Sequence, residues 1–169
     1  MAHAYLIRMR KPSDKIQTRA EMVTARDALR SNGKSLVFTN GCFDILHVGH
    51  VDYLTFSRAQ GDALLVGVNS DASVKRNKGE GRPINSEQDR ATVLSALESV
   101  DYVVIFNEDE PAEMIAEIIP DVLVKGADWA HYVSGRETVE SHGGKVVLAQ
   151  MVEGRSTTST IDKILSTES

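Results

Sequence analysis

The stretch "NGCFDILHVGH", residues 40–50, decides how this chain reads. Before it stands "SLVFT" (35–39), short and apolar like a buried strand. After it a helix should open near Gly49 and run to Gln60, burying Val51, Leu54 and Ala59 and stopping at Gly61. A strand that passes straight into a helix places the turn between them at the strand's carboxyl end. Two of the chain's five histidines, His47 and His50, lie in that turn, on either side of Gly49.

Working outward, the remaining apolar runs alternate with helical patterns. A helix is expected over 14–30, with Ile16, Ala20 and Val23 on one face and Gly33 as its C-terminal cap. The run "ALLVGV" (63–68) is apolar throughout, as in a strand covered on both faces. Residues 72–84 are polar and basic, with Gly79, Gly81 and Pro83, and read as a loop. Asn85 and Gln88 form a capping-box-like start for a helix through about Glu98. "YVVIF" (102–106) is a strand, and Glu108, Asp109 and Glu110 before Pro111 suit a helix start by dipole and by proline geometry. Further strands are expected at 121–125 and 145–149, with a short helix between them ending at Gly143 and Gly144. A last helix opens near "STTST" (156–160), capped by Ser156 or Thr158.

Five strands separated by helices require parallel pairing with right-handed crossovers. The expected fold is α/β, a Rossmann-like doubly wound five-stranded parallel sheet with helices on both faces. Residues 1–33 read as an N-terminal extension and helix packed on the domain, and 34–169 as the domain itself. Ligands in such folds bind beyond the carboxyl ends of the strands, where the strand order reverses. The first strand is the expected switch element, and "NGCFDILHVGH" leaves its carboxyl end.

Composition narrows the function classes. The chain has 169 residues, 41% hydrophobic and 25% charged, with a net charge of −5, so no general nucleic-acid-binding surface is expected. No apolar run approaches the roughly 20 residues of a membrane span. The start, "MAHAYLIRMRK", has its charges after its apolar residues, the reverse of a signal peptide. The one cysteine, Cys42, has no internal disulfide partner and reads as a small buried thiol. A cytoplasmic enzyme or binding domain is expected.

At the opening turn of a helix, free backbone N–H groups and the dipole favour an anion. His47 and His50 can point the same way, and Gly49 lets a phosphate approach the backbone without a Cβ in the way. The spacing suits two donors converging on phosphate oxygens. It equally fits one histidine that caps the helix and another that packs. Zinc finds no third ligand nearby except Cys42 or Asp44, at spacings that fit no common set.

The whole stretch resembles the signature of the cytidylyltransferase-like nucleotidyltransferases, a strand followed by G-x-F-D-x-x-H-x-G-H. Gly41, Phe43, Asp44, His47, Gly49 and His50 all match, and the likeness continues through "VNSD" (68–71), "VKGADW" (124–129) and "EGRSTTSTI" (153–161). Within that superfamily the chain is similar to the heptose 1-phosphate adenylyltransferases of ADP-heptose synthesis, by "NGCFDILHVGHVDYL", "VNSDASVKRNKGEGRPIN", "LESVDYVV" and "LVKGADW". Glycerol-3-phosphate cytidylyltransferases carry an arginine before "VDEV", where this chain has Glu98 ahead of Val100 and Asp101. They also carry "RTEGIST", where it has Met151 at the arginine's place. Both departures fit the heptose group.

The resemblance implies transfer of the adenylyl group of ATP to heptose 1-phosphate, a lipopolysaccharide precursor step giving ADP-heptose and pyrophosphate. It implies catalytic roles for His47, His50, Lys75 and Lys78, the lysines lying on a lid after the second strand, with Arg76 solvated. Nucleotide contacts would come from Asn40, Gly41, Phe43 and Gly49, from Lys125, Gly126 and Asp128, and from Ser156, Thr157 and Thr158. Asp44, Arg82 and Arg90 are candidate substrate contacts, although Asp44 also suits internal anchoring and Arg90 a surface position. Trp129 either shields the base or packs. No resident metal is expected; Mg2+ would be bound mainly through the ATP phosphates, with no carboxylate cage. A homodimer is implied, with the N-terminal helix and the helix from Asn85 as contact surfaces. No membrane or nucleic-acid partner is expected, and a separate sugar kinase would supply the substrate. The alternatives are cytidylyl transfer to a polyol or alcohol phosphate of the glycerol 3-phosphate or ethanolamine phosphate type, and a nucleotide-binding module without turnover.

Overall fold

Five apolar runs form parallel strands: β1 (Leu36–Gly41), β2 (Ala63–Asn69), β3 (Tyr102–Phe106), β4 (Val122–Gly126) and β5 (Lys145–Ala149). The computed structural model describes residues 10–150, 154 and 156–167. The strand order is β3-β2-β1-β4-β5. The chain therefore steps one way from β1 through β2 to β3, then returns to the other side of β1 for β4 and β5. The crevice of such a sheet opens at the carboxyl ends of β1 and β4.

Side-chain alternation along the central strands builds two cores. Val37, Leu64 and Val66 face Leu54 and Leu94, whereas Leu36, Phe38 and Leu65 face Met22, Met114 and Ile115. Both faces are covered, which is why β2 is buried at every position and apolar up to its last residue, Asn69. Gly67 has a packing reason: a Cβ there would meet Met114 at 2.7 Å and the Phe38 ring at 3.1 Å. The covering helices are α1 (Pro12–Lys15), α2 (Arg19–Ser31), α3 (Val48–Arg58), α4 (Asp71–Lys78), α5 (Glu87–Ser95), α6 (Ala112–Ile118), α7 (Arg136–Ser141) and α8 (Thr157–Ser166). None of the described helices is long and apolar enough to cross a membrane.

Several local expectations are corrected. The helix expected over 14–30 is two helices. Ile16 forms a parallel bridge with Val103, and Thr18 starts α2 afresh through a capping box with Glu21. Gly33 does close α2, at φ 66°, with Lys34 N–H bonded to Leu29 O at 2.9 Å. Val51 and Ala59 are exposed, because the buried stripe of α3 runs through Tyr53, Leu54 and Ser57. Residues 72–78 of the expected basic loop are helical, within α4, which is started by Ser70, whose hydroxyl accepts from Ser73 N–H. The cap of α5 is Ser86, bonded to Asp89 N–H, and not Asn85, which serves the site instead. The acids before α6 pair with side chains: Glu108 with Arg19, Asp109 with Arg76 and Glu110 with Tyr132.

Candidate active site

The segment between β1 and α3 turns sharply and is held from outside. Phe43 adopts φ 46°, a region costly for a residue with a Cβ. Its ring is buried and leaves little room at Gly41, where an added Cβ would lie 3.0 Å from it. Asp44 anchors the turn. Its carboxylate accepts from Arg82 Nε at 2.6 Å, Ile84 N–H at 2.8 Å and Asn85 N–H at 2.9 Å. Burial opposes ionisation of this carboxyl, but these donors outweigh it and hold its pKa below the usual range.

Arg90 is a buried tie and not a surface residue. It donates to Cys42 O at 2.5 Å, Asn69 O at 2.8 Å, Asp71 Oδ1 at 2.9 Å and Asn85 O at 3.0 Å. It thus joins the ends of β1 and β2 and points into neither cavity described below. Cys42 is half-buried and lines the cavity, and burial pushes its thiol pKa up, so it stays protonated.

His47 occupies the N-cap position of α3, and His50 lies in the first turn. Their rings stack with centroids 3.9 Å apart, and the Phe43 ring stands edge-on to His50 at 5.3 Å. Burial first, and the neighbouring His47 second, lower the His50 pKa to about 4, so His50 is neutral at pH 7. Its Nδ1 is buried with no hydrogen-bond partner among the described residues. A neutral imidazole keeps one N–H to donate. Tyr53 fixes the helix carrying the pair: its hydroxyl bonds Thr39 at 2.7 Å and Val124 O at 3.2 Å.

A cavity of about 540 Å³ opens over the carboxyl ends of the strands, adjoined by a lobe of about 220 Å³. Asn40, Gly41, Phe43, His50, Lys125 and Trp129 border both. Gly126 and Asp128 belong to the smaller lobe; Lys78, Arg82, Asp44, Thr157 and Thr158 line the larger. Trp129 is 50% exposed on this rim, not packed in the core. Ser156 caps α8 through Ser159 N–H and does not line the cavity. Lys75 also lies off the cavity, 3.9 Å from Glu80, so the two candidate lysines are separated by one helical turn. Arg76 is not merely solvated, since it bonds Asp109 at 2.7 Å. Gly49 is buried in α3. Met151, Glu153 and Arg155 lie outside the described residues.

Lys125 is mostly buried, and its ammonium donates to Asn40 Oδ1 at 2.5 Å. Burial lowers its pKa to about 8, with Glu110 and Asp128 opposing. Its positive charge is present below that value and is lost as pH rises through it. Among the described residues no three His, Cys, Asp or Glu side chains converge to cage a metal. A divalent cation here would depend on oxygens brought by a ligand.

Asn69, Asn77, Asp109, Glu110, Tyr132 and Ser134 also line the larger cavity and were missed from the sequence. Apart from Asn69, which ends β2, they lie in α4 and in the loops after β3 and β4. The topology rule that places ligands at strand carboxyl ends was the signal that could have found them.

Comparison with known proteins agrees with this geometry. A family profile described as "Cytidylyltransferase-like" matches residues 38–168. The chain is 53% identical over 152 residues to the bifunctional protein HldE of Syntrophotalea carbinolica, covering 89% of this chain and 31% of that protein. It is 58% identical over 137 residues to the bifunctional protein HldE of Citrifermentans bemidjiense, covering 80% and 28%. The chain thus spans about a third of the length of these curated relatives. A crystal structure of the lipopolysaccharide core biosynthesis protein from Thermoplasma volcanium is 29% identical, with a TM-score of 0.59 over 73% of this chain and 100% of that one. Pantoate-beta-alanine ligase from Francisella tularensis, 14% identical with a TM-score of 0.59, covering 84% of this chain and 68% of its own, shares the fold.

Proposed function

The chain belongs to the cytidylyltransferase-like family, and from that premise we propose that it is a nucleotidyltransferase moving the adenylyl group of ATP to heptose 1-phosphate, giving ADP-heptose and pyrophosphate. The observation that carries this reading is the stacked His47–His50 pair at the start of α3, of which His50 lines a cavity that also collects Lys78, Lys125 and the opening turn of α8. Similarity to two bifunctional HldE proteins and to a lipopolysaccharide core biosynthesis protein supports the heptose acceptor over glycerol or ethanolamine phosphate.

In this reading an oxygen of the sugar phosphate attacks the α-phosphorus of ATP in line. The new P–O bond forms as the bond to the bridging oxygen breaks, and pyrophosphate leaves with that electron pair. A phosphate oxygen is already anionic and needs no strong base, so positioning and charge stabilisation do the catalysis. His47 and His50 donate to phosphate oxygens. Lys78 supplies positive charge from α4, Lys125 does so from β4, and Thr157 and Thr158 offer hydroxyls and backbone N–H groups at the start of α8. Asp128 holds the ribose and Trp129 shields the base. Asp44 and Arg90 keep the turn in shape. When Mg2+ is present on the triphosphate it neutralises developing charge, and its ligands are phosphate oxygens and water.

The proposal includes a cytoplasmic homodimer fed by a sugar kinase. Its test is pyrophosphate release from a matrix of nucleoside triphosphates against sugar and polyol phosphates. Turnover is expected with ATP and heptose 1-phosphate. Turnover only with CTP and glycerol 3-phosphate would overturn it.

A further inference from the structure

The larger cavity has one wall that carries carboxylates. Asp109 and Glu110 come from the loop after β3, and Tyr132 and Ser134 from the loop after β4. Carboxylates repel phosphate, so this wall suits the uncharged part of a ligand. The two acids differ in what they have left to offer. Asp109 Oδ1 accepts from Arg76 Nε at 2.7 Å, and its charge is paired. Glu110 Oε2 accepts from the Tyr132 hydroxyl at 2.7 Å, while Oε1 has no hydrogen bond among the described residues. Glu110 is close enough to Lys125 to favour the ammonium form.

Ser134 supplies an independent sign of a ligand. It is 7% exposed and lines the same cavity, yet its hydroxyl has no hydrogen-bond partner among the described residues. It lies near enough to Tyr132 to bias that phenol's acidity, but outside bonding geometry. An unsatisfied buried hydroxyl costs about 1–3 kcal/mol. A ligand hydroxyl would recover that cost. A carboxylate oxygen that only accepts, beside a serine that donates and accepts, matches neighbouring hydroxyls of a sugar.

We propose that Glu110 and Ser134, with Glu110 steadied by Tyr132, recognise the hydroxyl groups of the acceptor sugar. The assignment rests on the adenylyl-transfer reading and deepens it by giving the acceptor its own end of the cavity. A sugar seated there has its 1-phosphate directed to the border of the two lobes, where His50 and Lys125 stand and where the smaller lobe with Asp128 begins.

The test is calorimetric titration of heptose 1-phosphate, and separately of a non-hydrolysable ATP analogue, into wild type, Glu110→Gln and Ser134→Ala, with melting curves for each. Glu110 is exposed, so its variant should fold normally, and Ser134→Ala gives an independent reading. Glu110→Gln should weaken heptose 1-phosphate binding about tenfold or more, and Ser134→Ala by several-fold, with the analogue's Kd changed less than about twofold. Unchanged sugar binding in both variants, or no sugar binding by the wild type, overturns the subsite. Pyrophosphate release separates the two ideas. Sugar binding that the variants lose, in a wild type that releases no pyrophosphate from ATP, removes the transfer reading and keeps the subsite. Turnover by a wild type whose variants bind sugar normally does the reverse.

Discussion

Asp44 lies in the turn between β1 and α3 and His50 in the first turn of α3, and the fold treats them in opposite ways. Asp44 is buried and its carboxylate is bonded to Arg82, Ile84 and Asn85. His50 is partly buried and neutral, and its Nδ1 faces no partner among the described residues. The same contrast separates Arg90, with acceptors for each of its nitrogens, from Ser134, with none. A polar group whose bonds are all made inside the protein has nothing to offer a ligand, and removing it leaves buried partners unsatisfied. A buried polar group with bonds to spare carries a standing cost that a ligand or a bound water relieves. Hydrogen-bond satisfaction therefore sorts the frame of this site from its working surface.

Kinetics give the sharpest way to break that sorting. His50→Ala should lower kcat by about 10²–10³ while Tm moves little, because the lost donor acts on transition-state charge. His47→Ala should behave alike, and the double variant should fall short of the product of the two, since both serve one charge. Normal kcat with a collapsed Tm would put the histidines in the frame. Arg90→Ala should do the opposite of His50→Ala. Loss of the buried guanidinium strands Asp71 and the carbonyls of Cys42, Asn69 and Asn85, and should destabilise by about 3 kcal/mol. Denaturant unfolding measures that loss, and a wild-type midpoint with weakened ATP binding would move Arg90 to the working surface. The smallest effect sharpens the boundary. Lys78→Ala should reduce kcat/KM roughly tenfold, more than Lys75→Ala or Arg76→Ala, because only Lys78 of the three lines the cavity. Steady-state rates of the three variants decide it, and a larger loss for Lys75→Ala would mean that α4 rearranges over bound substrate.

Much of the architecture was legible in one dimension. The runs that became β2 and β3 were read to within a residue, because a strand buried on both faces must be apolar throughout. Ser156 was readable as a cap because its partner, Ser159 N–H, is three residues away. Errors came where a distant partner outbid a local one. Asn85 and Gln88 look like a cap, but Asn85 is drawn to Asp44 and leaves capping to Ser86. Ile16 has helical spacing, but β3 captures it through Val103.

The sequence by itself determined the parallel α/β plan, the placing of the G-x-F-D-x-x-H-x-G-H segment at the end of the first strand, and the two histidines at the helix start that follows it. Each is a matter of spacing along the chain, which backbone geometry converts directly into position. Only the tertiary structure decided that Arg90 is a buried tie and not a surface residue, that Lys78 and not Lys75 lines the cavity, and that Glu110 and Ser134 line the same cavity. Those facts join residues from different loops, and which bonds a side chain finds across the fold is set by the packing of helices around the sheet, not by its neighbours in the chain.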